Sequence, residues 1–138
     1  MELSFLTLAD IELKRAERYR IFVSLIVIDF SRTRQIHENC TQEKLADLAL
    51  FTSGKVRACD TVTALGDWRL AILFPETARQ GAESAARRLG DLVKRHIADK
   101  LSVGTDEVIP MEIASYPDAA GARTIANFLE ELVQKSRN

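Results

Sequence analysis

The chain has 138 residues, enough for one domain with a real core and too few for two ordinary ones. Its 46 % hydrophobic and 28 % charged residues exclude a disordered chain, and 19 Lys and Arg against 20 Asp and Glu leave no overall field to draw nucleic acid or an anionic membrane. Two cysteines, Cys40 and Cys59, lack metal-type spacing and are too few for a disulfide framework, which suits ordinary thiols in a reducing compartment.

Leu6, Ala9, Leu13 and Ala16 recur at helical spacing and predict a first helix, with Thr7 and Asp10 as a capping pair at its start. The stretch IFVSLIVIDF, Ile21 to Phe30, follows. It is broken by Ser24 and Asp29 and is about half the length a bilayer span needs, so it predicts a central strand covered on both faces. No basic stretch follows Met1 as in a secretory signal, so the expectation is a cytoplasmic protein, or the cytoplasmic domain of a larger one, with no membrane insertion. Thr41 opens a second helix through Leu45, Leu48, Ala49, Thr52 and Val56. Thr61–Leu65 and Arg69–Phe74, separated by Gly66, Asp67 and Trp68, predict a β-hairpin with glycine available for positive φ. Thr77 with Gln80 forms a capping box for a long helix striped by Ala82, Ala85, Ala86, Leu89, Leu92, Val93 and Ile97. A loop through Gly104 leads to a strand near Val108–Ser115, ended by Tyr116-Pro117-Asp118, and Ile125, Phe128, Leu129, Leu132 and Val133 mark a last helix.

Two strand-helix-strand crossovers around a hairpin predict one α/β (α+β) domain over residues 1–138. The expected architecture is a ferredoxin-like palm with a mixed central sheet of four or more strands and helices on its faces.

The string RACDTVTALGDWRLAILFPET, Arg57 to Thr77, resembles the core of GGDEF domains, the family of bacterial diguanylate cyclases. There an arginine-x-x-aspartate motif stands five residues ahead of GGDEF and an A-I-L-x-P-E-T-like strand comes after it. Here the GGDEF slot holds Gly66, Asp67, Trp68, Arg69 and Leu70, so only the first residue matches. Upstream, ERYRIFVSLIVIDFSRTRQI is similar to the family's first core strand and D-x-D-x-F-K segment, with Asp29 on the first aspartate, Ser31 on the second and Arg34 on the lysine. The closing KSRN resembles A-K-x-x-G-R-N without its glycine, and residues 1–10 lack the family's L-T-G-L-x-N-R opening.

The resemblance implies an enzyme that joins two GTP molecules by attack of a 3′-hydroxyl on an α-phosphate beside metal ions. Hard Mg²⁺ needs carboxylate oxygens at fixed positions. Asp29 fits as one such ligand and is kept as a relic; Trp68 cannot be the other, Arg69 brings a cation, and Asp67 puts an anion into a turn built to approach phosphate. The segment between Ile36 and Leu45 is shorter than the family's guanine-reading loop, and His37, Glu38, Asn39 and Cys40 do not rebuild it. The expectation is a domain without cyclase activity, metal site or cofactor.

The resemblance also implies an inhibitory-type site for the product, cyclic di-GMP, away from the catalytic face. Arg57 and Asp60 match its motif, and Arg88 falls in the slot of a further arginine on the following helix. An arginine fork suits guanine O6 and N7 or a phosphate, and a carboxylate accepts from guanine N1 and N2. A plainer reading has Arg57 at a helix C-terminus paired with Asp60, and Arg87 and Arg88 on a solvated helix face or in salt bridges to Glu83 or Asp91. Two functions follow: a cyclic di-GMP receptor, or a ligand-independent module that dimerises or binds a signalling partner. Trp68 either anchors such a partner or folds back onto the sheet, Asp29 is expected to bond to local backbone, and His37 and His96 are read as surface residues.

Overall fold

A computed structural model describes residues 2–31, 42–66, 68–101, 109–117 and 124–137. Helix α1 spans Glu2–Tyr19 and buries Phe5, Leu6, Ala9, Leu13 and Ala16 along one stripe. It begins before the expected Thr7–Asp10 cap, and Asp10 instead pairs with Lys14 one turn on, at 2.9 Å. Strand β1, Val23–Asp29, is buried along nearly its whole length, as a continuous apolar run requires. Helix α2 covers Gln42–Ser53 and turns Leu45, Leu48 and Thr52 inward. Strands β2, Thr61–Leu65, and β3, Arg69–Pro75, form the predicted hairpin, and Trp68 in its turn takes a left-handed φ of 59°.

Helix α3, Arg79–Leu101, starts one residue later than a cap at Thr77 would set: the Ala78 carbonyl accepts the Ala82 N–H at 3.0 Å, which makes Ala78 the N-cap. Strand β4, Met111–Tyr116, begins beyond the expected Val108, which lies outside the described residues. Helix α4 is Ile125–Arg137. His37, Glu38, Asn39, Cys40, Thr41, Arg34, Asp67 and Gly104 also lie outside the described residues.

The sheet order is β2-β3-β1-β4, and every pairing is antiparallel, which corrects the expected mixed sheet. The reason is topological. Each crossover, β1-α2-β2 and β3-α3-β4, joins strands that run the same way, yet a strand of the other unit lies between the two, so no parallel pair ever forms hydrogen bonds. Alternate residues of β1 then serve two cores. Ile26 and Ile28 pack with Leu45, Leu48, Leu89 and Val93 beneath α2 and α3, while Val23, Leu25 and Val27 pack with Leu13, Ile125 and Phe128 beneath α1 and α4. No helix among the described residues is long and apolar enough to cross a membrane.

Candidate functional site

The site begins where α2 ends. After Ser53 the chain winds off the helix through bonds from Gly54 N–H to the Leu50 and Phe51 carbonyls and from Lys55 N–H to the Thr52 carbonyl. A second turn follows at once, closed by the Asp60 N–H on the Arg57 carbonyl at 3.0 Å. The four-residue spacing thus makes the motif a turn, and the Asp60 side chain folds back over it. Its Oδ2 accepts from the Arg57 backbone N–H at 3.0 Å and from Arg57 Nε at 3.2 Å. Its Oδ1 accepts from Arg57 Nη2 at 3.0 Å and from the Cys59 thiol at 3.7 Å. The Asp60 side chain is only 2 % exposed, against 55 % for Arg57.

Arg57 reaches further. Its Nη2 also bonds the Pro75 carbonyl at 3.0 Å and Thr77 Oγ1 at 2.7 Å, so the turn is tied to the end of β3 and the entry of α3. Hydrogen bonding to Asp60 raises the Arg57 pKa above its usual value, against a smaller opposing effect of burial. Thr77 passes its own proton to the Pro75 carbonyl at 3.0 Å. Between them Glu76 sits at a left-handed φ of 53°, a conformation that costs a non-glycine residue about 1–2 kcal/mol.

Arg88 approaches from α3, three turns along from that entry, and its Nη1 bonds the Lys55 carbonyl at 2.9 Å. Arg57, Asp60 and Arg88 line one shallow cleft of about 390 Å³ together with Lys55, Phe74 and Thr77. Sequence reasoning paired the first two and placed the third by resemblance; it read Thr77 as a helix cap and passed over Lys55, whose carbonyl contact spans 33 positions and leaves no local signal. Arg57 pairs with Asp60, as the plainer reading has it, and Glu83 faces Arg79 at 3.9 Å.

A larger cavity of about 520 Å³ between α2 and α3 contains none of these residues. There His96 is half-buried and stacks on Phe51, ring centroids 3.9 Å apart and 19° from parallel, which corrects its reading as a surface residue. Burial, with Lys100 adding to it, lowers the His96 pKa below 6.5.

At the hairpin end, Asp29 accepts from the Ser31 N–H at 2.9 Å and from the Ser31 hydroxyl, the local backbone partner expected of it. The residue paired with it across the sheet is Arg69, which is buried, and Trp68 packs its side chain against the α2–α3 core instead of projecting toward a partner.

Solved structures share this architecture. The GGDEF domain of PA1120 (YfiN or TpbB) from Pseudomonas aeruginosa superposes with a TM-score of 0.63 at 23 % identity, covering 96 % of this chain and 84 % of that one. The FimX GGDEF domain of the same organism gives 0.64 at 17 % identity over 99 % and 83 %. The fold is that of a GGDEF domain. The active GGEEF domain of a diguanylate cyclase from Vibrio cholerae gives 0.57 at 20 % identity over 89 % and 79 %. No protein-family model and no curated protein matches the sequence.

The resemblance implies metal carboxylates at the β2-β3 hairpin and the end of β1. The side chains present do not fit a pair of hard cations. Asp29 lies opposite Arg69 in the β1–β3 register, and Trp68 is aromatic and offers no carboxylate oxygen.

Proposed function

We propose that this chain is a catalytically silent GGDEF-fold signalling domain that binds cyclic di-GMP in the cleft between the Arg57–Asp60 turn and α3. The observation that carries the reading is convergence: Arg57 and Asp60 after α2 and Arg88 on α3 line one cleft. Two guanidinium groups there suit a ligand with two phosphates, because charge-assisted hydrogen bonds to phosphate are about twice as strong as neutral ones. The silence rests on the hairpin, where Trp68 and Arg69 stand in the slots of two acids and the surviving Asp29 is bonded to Ser31. The protein works in the cytoplasm, alone or within a larger signalling chain, and passes ligand binding on to a partner or a second copy.

Isothermal titration calorimetry with cyclic di-GMP tests the reading. Binding is expected, and Arg57→Ala and Arg88→Ala are each expected to weaken it at least tenfold, since a hydrogen bond to a charged group contributes about 1.5–3 kcal/mol. GTP with Mg²⁺ is expected to give no cyclic dinucleotide; measurable turnover would refute the silence. No heat of binding at millimolar ligand would instead leave a ligand-independent interaction module.

A further inference from the structure

We infer that the groove between α2 and α3 is a second binding site, for a small amphipathic anion: an apolar body carrying a single carboxylate. Its cavity of about 520 Å³ is of the size that small ligands occupy, and none of its lining residues lines the cleft of Arg57 and Arg88. The site therefore stands or falls independently of cyclic di-GMP. Its apolar part is made by Leu48, Leu50, Phe51 and Ile97. Leu48 and Ile97 are each 3 % exposed and belong to the core beneath the two helices, so the groove rests on packed side chains. Leu50 is 74 % exposed, and its side chain continues the apolar lining into solvent. Phe51 on α2 and His96 on α3 stack across the groove, 3.9 Å apart and 19° from parallel, so the imidazole packs as part of the wall. An apolar body lying against Leu50 and Phe51 removes their surface from water.

The polar part of the groove is cationic. Lys44 on α2 and Lys100 on α3 are both exposed, and Asp47 is the one acid among the described lining residues. Burial holds the His96 pKa below 6.5, so the ring is neutral near neutral pH and adds no charge. Two lysines less one aspartate leave one net positive charge here, in a chain whose formal net charge is −1. A third ammonium stands close by, with Lys55 Nζ 5.3 Å from the Phe51 ring centroid. This balance selects a singly charged anion. A neutral ligand leaves the lysines unmatched, and a second negative charge meets Asp47.

Amide NMR spectra of the full chain, titrated with naphthoate and octanoate and with the two matching neutral amides, test the site. At least one of the acids is expected to saturate at millimolar concentration or below, with shifts centred on residues 44–51 and 96–100. The acid that binds more tightly tells whether the apolar body is aromatic or aliphatic. It is expected to bind about threefold more tightly than its own amide, the modest factor that exposed ion pairs supply. The double variant Lys44→Ala, Lys100→Ala is expected to abolish that advantage, while Leu50→Gln weakens acid and amide by the same factor. All three side chains are exposed, so none of these substitutions touches the core. Equal binding of acid and amide overturns the inference, as does an advantage that persists in the double variant. No saturable shift at these residues with either acid overturns it as well, and leaves the cyclic di-GMP reading standing.

Discussion

Ser24 looks in the sequence like a flaw in an apolar strand, and in the structure it is wholly buried. Its hydroxyl donates to the Thr77 carbonyl at 2.7 Å, so the 2.8 Å contact with Ser115 must be a bond donated by Ser115, because Ser24 has only one proton to give. The pair ties β1 and β4 to the same Thr77 that receives Arg57. Ser24→Ala leaves the Ser115 hydroxyl and the Thr77 carbonyl without that partner and is expected to cost about 1–3 kcal/mol in urea unfolding, the penalty for stranding buried polar groups. A loss within experimental error would show that neither group depends on Ser24. At this scale the Arg57–Asp60 pairing was legible, because four residues are enough to close a turn. Ser24 was not, because its partners lie 53 and 91 positions away.

Elements were read well wherever one periodicity ran for several turns or the length of a strand. Helix α3 is the clearest case, and its stripe of Ala82, Ala86, Leu89, Val93 and Ile97 is buried as expected. Its ends were read less well. The cap fell on Ala78 rather than Thr77 because the Thr77 hydroxyl is engaged by Arg57 and Pro75, and a tertiary partner outcompeted the local one. Inside α3, Gly90 has no evident backbone need, since a Cβ there would lie 3.2 Å from the terminal methyl of Met111 and meet nothing stiffer. Gly90→Ala is expected to stabilise the protein by about 0.5–1 kcal/mol, seen as a higher urea midpoint with an unchanged slope. A lower midpoint would mean that Met111 cannot give way.

At the scale of the whole molecule, one sheet separates two cores. Ile97 belongs to the core under α2 and α3, and Ile125 to the core under α1 and α4. Ile97→Val and Ile125→Val are each expected to cost about 0.5–1.5 kcal/mol. Their double variant should equal the sum within about 0.5 kcal/mol, because residues without shared partners act independently. A larger interaction energy would show the sheet passing strain between its faces. Far-UV and fluorescence transitions of the double variant are expected to coincide, since every strand of the sheet borders both cores.

The sequence by itself determined the order of elements, the buried central strand and the hairpin, all of which follow from short-range periodicity and residue identity. Only the tertiary structure decided that the sheet is wholly antiparallel, since pairing depends on which strand lies between which. It alone brought Arg88 to the Arg57–Asp60 turn, because the Lys55 carbonyl that Arg88 bonds is near it in space and far from it along the chain. It also showed the Asp60 carboxylate buried and bonded within its own turn, a matter of geometry and burial that a four-letter motif cannot express.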